Sequence, residues 1–393
     1  MTAVTLPPAE WREREGLDRL AEVLGASEGT SRFVGGAVRD TLLGIGVADI
    51  DLATRHSPET VMALLKAAEI RAVPTGLAHG TVTAVLPGGP VEVTTLRRDV
   101  STDGRHATVA FTEDWREDAA RRDFTINALY ADPISGQVYD YFGGLDDLGK
   151  RHVRFIGDPL QRIAEDHLRI LRFFRFLARF GDSPDLEGLA ACAARANDLM
   201  ALSRERIADE LLKLLVAKDA VRVVGLMIAQ GILVPVLPEI DSAERLERLA
   251  AREAEAEVAP NAIRRLAALL PADPAVSESV AARLKFSNAQ RRRLASAALP
   301  AEGGVQALAY RTGLDGAVDR LLLSDRPLGD LAPIRGWNVP AFPLSGGAIV
   351  SRGVRAGPEV ARLLRRVEDQ WVAEGFPDKA RAEAIADELT AAG

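Results

Sequence analysis

The sequence predicts an α+β fold: an N-terminal head built on a mixed β-sheet, followed by an all-helical extension. Three observations carry this. Over the first 150 residues, short β-rich runs alternate with helical ones. From about residue 158, Leu, Ala and Arg recur at helical spacing. The length of 393 residues also exceeds what one hydrophobic core normally organises, so several domains are expected.

The elements follow in order. "SRFV" reads as a strand, "GG" turns the chain, and "AVRDTLLG" reads as a helix ended by Gly44. "DIDLAT" is a short strand. "SPETVMALLKAA" is a helix capped by Ser57, with Pro58 in its first turn. "TVTAVL" and "VEVTTLR" are strands joined across "PGGP" in a hairpin-like connection. Segment 97–112 is polar and turn-prone, and "ADPISGQVYDYFGG" reads as strand, turn, strand. "DPLQRIAEDHLRILRFFRFLARF" reads as one helix of several turns, and "SRERIADELLKLLVAK" as another, capped by Ser203. The remainder is helical, with Pro and Gly breaks near 271–274, 300–304 and 338–347, and no internal repeat.

Composition narrows the class. Hydrophobic residues make up 47% and charged residues 27%, a globular balance. No apolar run approaches the roughly 18 residues of a membrane span. The first twenty residues lack the basic-then-apolar order of a signal peptide. Cys192 is the only cysteine, which excludes an internal disulfide, argues against a zinc site and suits a reducing, cytoplasmic setting. The net charge is −7, unevenly spread: residues 1–150 carry 15 basic and 23 acidic side chains, the rest 34 and 33. Arg162, Arg169, Arg172, Arg175 and Arg179, then Arg264 and Arg265, then Arg291 to Arg293 form local basic clusters. These read either as a basic face for nucleic acid or as solvated helix sides.

One 20-residue stretch, "GGAVRDTLLGIGVADIDLAT", carries the chemistry. Asp49 and Asp51 are two apart on a strand, so both side chains share one face. Carboxylates held that close call for a cation, and Mg²⁺ suits oxygen ligands with positions left for water and phosphate. A surface turn is the competing reading of Asp-x-Asp. Gly35 and Gly36 let backbone N–H groups approach an anion, and Arg39, one helical turn on, could reach a phosphate oxygen. Neither a Walker A loop nor a dinucleotide fingerprint is present. Glu92 could join the aspartates if its strand is their neighbour. Together these residues point to two-metal nucleotidyl transfer.

The same stretch resembles the head motif of the class II CCA-adding enzyme and poly(A) polymerase family of the DNA polymerase β superfamily. "RRDFTINALY" (121–130), "YFGGLDDL" (141–148), "EDHLRILRFFRF" (165–176) and "SRERIADEL" (203–211) are similar to its later motifs, in the same order. The resemblance implies a five-stranded nucleotidyltransferase head at 31–157 after an N-terminal helical segment at 1–30. It further implies a helical neck at 158–215, a body at 216–300 and a tRNA-binding tail at 301–393. It assigns Asp49 and Asp51 to metal and, less securely, Glu92 as a third catalytic acid. It assigns Gly36 and Arg39 to the triphosphate, Arg122 to the nucleotide, and Asp166, Arg169, Arg172 and Arg175 to a base-selecting helix.

That last assignment also has a physical basis. Asp166 and Arg169 are three apart, a spacing that shares a helix face. A carboxylate accepts from the amino group of C or A and repels the carbonyl of U or G, while Arg donates to the ring acceptors. Asp123 and Asn127 are expected in structural roles, as a cap of the helix "FTINAL" and a buried amide. No His-Asp dipeptide occurs, so an appended metal phosphohydrolase domain is not expected, and Ala348 stands where relatives carry an acid. The expected activity is addition of C, C and A to the tRNA 3′ end from CTP and ATP. Poly(A) synthesis, partial CC or A addition, and an inactive tRNA-binding protein are the alternatives. The polar segment 97–112 is expected to be a flexible lever needed for the final A.

Overall fold

The computed structural model describes residues 4–102 and 107–391, with 99–102 and 107–109 described by backbone alone. The chain forms two units, Met1–Pro238 and Glu239–Gly393. The expected neck lies wholly within the first, and the expected body is divided between them.

The first unit is built on a sheet of β1 (Ser31–Val34), β2 (Asp51–Thr54), β3 (Arg71–Gly76), β4 (Thr81–Leu86), β5 (Gly89–Thr95), β8 (Leu129–Ala131) and β9 (Val138–Asp140). Between β5 and β8, a separate antiparallel ribbon pairs β6 (Arg97–Thr102) with β7 (Ala107–Phe111). The sheet order is β3-β4-β5-β2-β1-β8-β9, so it has seven strands rather than five. The strand with no counterpart in the sequence reading is β3. It contains Pro74 and is largely exposed, and an edge strand of that kind carries no alternating pattern. All neighbours are antiparallel except β2 and β5, which are parallel. A parallel pair requires a long crossover, and it holds a helix that packs against β3, β4 and β5.

The helices of this unit are α1 (Leu17–Val23), α2 (Gly36–Leu42), the crossover helix α3 (Pro58–Ala67), α4 (Trp115–Ala120), α5 (Gly144–Gly149), α6 (Pro159–Glu165), α7 (Arg169–Phe180), α8 (Leu186–Ala194), α9 (Arg204–Leu215) and α10 (Ala220–Ala229). Ser57 caps α3 by accepting from Thr60 N at 3.2 Å, and Ser203 caps α9 by accepting from Arg206 N at 3.4 Å.

Three expectations need correction. The helix read over 158–180 is two, α6 and α7, broken at Asp166, whose backbone is extended (φ −149°, ψ 106°). Its Oδ1 accepts from Leu168 N at 3.1 Å, the local bond by which Asp competes with helical pairing. "FTINAL" is a single 3₁₀ turn, Thr125–Asn127, running straight into β8. Segment 97–112 is a β-ribbon over its described residues, with Arg97 opposite Phe111, while Asp103, Gly104 and Arg105 lie outside them.

Aromatic packing fixes α7 on the sheet-bearing part of the unit. Phe155 and Phe173 stack at 5.5 Å, and Phe124 lies 5.1 Å from Phe176. All four are buried, each worth roughly 1.5–3 kcal/mol of transfer free energy. Helix α10 packs on α7 and α9, which is why the first unit extends beyond the expected neck. Cys192 is fully buried on α8.

The second unit comprises α11 (Glu244–Glu255), α12 (Ala262–Leu269), α13 (Pro274–Arg283), α14 (Asn288–Ala297), α15 (Val305–Leu323, kinked at Gly313), α16 (Gly346–Val350), α17 (Pro358–Ala373) and α18 (Lys379–Ala391). A buried ionic cluster lies among α11, α12, α14 and α15. Glu253 binds Arg264 at 2.7 Å and Arg265 at 2.8 Å, while Asp319 binds Arg264 at 3.3 Å and Arg293 at 2.6 Å. Arg291 pairs with Glu278. These arginines therefore neutralise carboxylates of their own unit and do not form the basic face that their clustering suggested. A second core gathers around Trp371, whose indole N–H donates to Pro377 O at 2.7 Å, and Ala348 packs partly buried against it. No helix among the described residues is long and apolar enough to cross a membrane.

Candidate active site

The site begins at the β1–α2 turn. Gly35 has φ +69° and ψ −120°, which L side chains rarely adopt, and a Cβ there would sit 3.5 Å from Arg122 Nη1. Glycine is thus required by the backbone conformation, while the 3.5 Å spacing is an ordinary contact that sets Arg122 against the turn. Gly36 opens α2, and Arg39 N closes the first turn on Gly35 O at 3.0 Å.

Asp51 is the first residue of β2 and lies opposite Glu92 of the parallel strand β5. Asp49 precedes the strand and is exposed, with buried Ile50 between the two aspartates. Burial, then the charge of Glu92, then that of Asp49, push the Asp51 carboxyl up to about 6, against an opposing pull from Arg122. Arg122 thus joins the glycine turn to the acids. It donates to Asp118 Oδ2 at 3.2 Å and to Tyr130 Oη at 3.3 Å, and Tyr130 Oη donates to the same Asp118 oxygen at 2.6 Å. Arg121 holds Asp118 Oδ1 at 2.8 Å. Burial works to raise the Asp118 pKa, but Arg122 and Arg121 overcome it and hold the group at about 2.

Among the described residues, no three acids, imidazoles or thiols converge to enclose an ion. The donor set at Asp49, Asp51 and Glu92 nevertheless fits a hard divalent cation. It is all carboxylate and carries a mutual repulsion that such an ion would relieve.

Arg39 is placed differently from the expectation. Its guanidinium is buried, donating from Nε to Asp40 Oδ1 at 2.7 Å and from Nη1 to Asn127 Oδ1. Those bonds occupy the group inside the protein and do not present it to a phosphate. Asp123 accepts from Phe124 N and Asn127 Nδ2, both at 2.9 Å, and from Arg172 Nε at 2.7 Å. It therefore bridges elements and does not cap a helix, whereas Asn127 is the buried amide expected.

The arginine row is likewise paired. Arg169 is buried, donating to Glu165 Oε2 at 2.6 Å and to the carbonyls of Arg162 and Arg121 at 2.9 Å. Arg175 holds Glu210 at 2.6 Å, and Arg172 approaches the same residue at 3.6 Å. Asp166 does not share a helix face with Arg169, because the chain breaks between α6 and α7. Its partner is Arg206, at 2.8 Å, and both side chains are about one-third exposed. The residues that sequence reasoning missed are Asp40, Asp118, Tyr130, Arg206 and Glu210. Four of the five sit inside motifs quoted for other residues, so the missing signal was long-range pairing.

A strand–glycine–helix turn set against carboxylates paired across two parallel strands defines a nucleotidyltransferase head. Comparison with known proteins gives the same class and narrows it. The Poly A polymerase head domain matches residues 31–154, and the domain described as a probable RNA and SrmB-binding site of polymerase A matches 184–244. The mitochondrial CCA tRNA nucleotidyltransferase 1 of Mus musculus is 36% identical over 382 residues, 92% of this chain and 87% of that protein. Its Homo sapiens counterpart is 35% identical over the same shares. Among solved structures, the Bacillus stearothermophilus CCA-adding enzyme in complex with CTP superposes with a TM-score of 0.74 at 26% identity, covering 98% of this chain and 99% of that one. The chain belongs to the CCA tRNA nucleotidyltransferase and poly(A) polymerase family, a metal-dependent class of nucleotidyltransferases.

Proposed function

We propose that this enzyme adds C, C and A to the 3′ end of tRNA from CTP and ATP, releasing pyrophosphate, with Mg²⁺ as its metal and the cytoplasm as its setting. The observation that carries the reading is the register of Asp51 against Glu92, with Asp49 two residues away and Arg122 reaching back to the Gly35 turn. Asp49 and Asp51 would hold the metal, which when bound lowers the pKa of an attacking hydroxyl and neutralises charge on the departing pyrophosphate. The tRNA 3′-oxygen forms a bond to the α-phosphorus as the α–β phosphoanhydride bond breaks. Glu92, beside Asp51, would take the hydroxyl proton. Gly35 and Gly36 admit the triphosphate to backbone N–H groups, and Arg122 supplies the fixed cation.

Asp166 remains the proposed base reader, while Arg169, Arg172 and Arg175 hold the helix through Glu165, Asp123 and Glu210. A base presenting an amino group must compete with Arg206 for Asp166. The body and tail would hold the tRNA. The test is incorporation of labelled CTP and ATP on tRNA lacking CCA. Full CCA product supports the reading. Homopolymeric A would mark a poly(A) polymerase, a product stopping at CC or requiring a CC end a partial enzyme, and binding without turnover a silent tRNA-binding protein.

A further inference from the structure

We propose that Arg39 is a joint between the glycine turn and α7, and that Asp40, Asn127 and Arg179 are positioning residues for nucleotidyl transfer; the inference rests on the reading just given. Asp40 bridges two guanidinium groups. Its Oδ1 accepts from Arg39 Nε at 2.7 Å and its Oδ2 from Arg179 Nη2 at 3.2 Å. The ring of Phe180, at the end of α7, serves both cations, 4.3 Å from the Arg39 guanidinium carbon and 4.9 Å from that of Arg179. On its other side Arg39 donates to Asn127 Oδ1, Asn127 Nδ2 donates to Asp123, and Asp123 accepts from Arg172. One guanidinium is thus tied to two points on α7, two turns apart, while its own helix starts at Gly36.

The residue types are those this joint needs. Arg39 and Arg179 repel each other, and Asp40 is the carboxylate between them. The amide at 127 accepts from Arg39 and donates to Asp123 at once, whereas a carboxylate there would face Asp123 with like charge. Any displacement of α7 would draw on Arg39 and so on the turn assigned to the phosphates. Packed and hydrogen-bonded networks carry such coupling, and this one is continuous from the turn to α7.

The test compares wild type with Arg179→Ala, Arg179→Lys, Asp40→Asn and the Asp40→Asn/Arg179→Ala double variant, using CTP, ATP and UTP on tRNA lacking CCA. Arg179 is 42% exposed, so truncating it removes little packing. The expected result for Arg179→Ala is a five- to tenfold loss of kcat, a KM for CTP within twofold of wild type, and at least a threefold narrowing of discrimination against UTP. Arg179→Lys should recover part of the loss, and the double variant should be no worse than Asp40→Asn alone. Wild-type turnover establishes the underlying reading independently, and its absence removes both that reading and the joint. With an active wild type, the joint is overturned by an Arg179→Ala enzyme of unchanged kcat and discrimination. Multiplicative losses in the double variant, or an effect confined to the melting temperature, overturn it equally.

Discussion

Asp51 and Glu92 face one another across the parallel strand pair β2–β5 of the head sheet, two like charges fixed in register by the backbone between them. Such an arrangement costs stability and is kept where function uses the charge. Asp51→Asn, and likewise Asp49→Asn, is expected to abolish nucleotide incorporation while leaving the melting temperature unchanged or, at Asp51, slightly raised. Substantial turnover in Mg²⁺ by either folded variant would remove the metal assignment.

The raised Asp51 pKa has a definite sign in stability. The group protonates near 6 when folded and near 4 when unfolded, so folding takes up a proton between those values. Metal-free protein should therefore gain up to about 3 kcal/mol from this group as pH falls from 7 to 4, and Asp51→Asn should erase that gain. Divalent-ion affinity, followed by titration calorimetry, should fall over the same window. Asp118 and Asp123, both held near 2, act oppositely, and their contribution disappears as pH drops from about 4 to 2.

At Asp166, the Asn variant separates fold from specificity. An amide oxygen can still accept from Leu168 N and preserve the α6–α7 break. Its amino group, however, would meet the carbonyl of U favourably. Asp166→Asn should narrow the preference for CTP over UTP by about tenfold or more, in line with roughly 1–3 kcal/mol per base contact. Unchanged discrimination in a folded variant would transfer base reading to another group.

The β6–β7 ribbon offers a test of stepwise addition. Shortening its connection around Asp103 and Gly104 should leave tRNA ending in CC as the accumulated product, with CTP addition retained and ATP addition lost. Equal loss of both, with tRNA binding intact, would make the ribbon a general support of the site.

In the second unit, Asp319 is fully buried between Arg264 and Arg293. Removing it strands charge in the interior, so Asp319→Ala should destabilise by about 3–5 kcal/mol in urea titration. Arg381→Ala, which breaks an exposed pair with Glu374, should leave the transition where it is.

What could be read from the sequence was what is local. Ser57 and Ser203 cap as their positions suggested, and the "PGGP" turn joins β4 to β5 with Leu86 opposite Gly89. Asp51 and the glycines stand at strand ends, whereas Asp49, read as sharing the strand with Asp51, lies just before β2. Properties set by distant partners were not legible. Arg179 meets Asp40 across 139 residues, and Arg172 meets Asp123 across 49. An arginine row looks the same in sequence whether it faces solvent or a carboxylate. The break at Asp166 was hidden because apolar residues on both sides keep helical spacing, although Asp is itself a helix-start residue.

The single thiol, Cys192, gives the molecule a clock of its own. Fully buried on α8 and pushed well above the usual thiol range by burial, it is closed to alkylating reagents while the first unit is intact. Each modified molecule therefore records one opening of that unit, and no engineered label is required. Mass spectrometry of the alkylated fraction against time, with and without CTP, would measure how strongly a nucleotide suppresses that opening in the native ensemble.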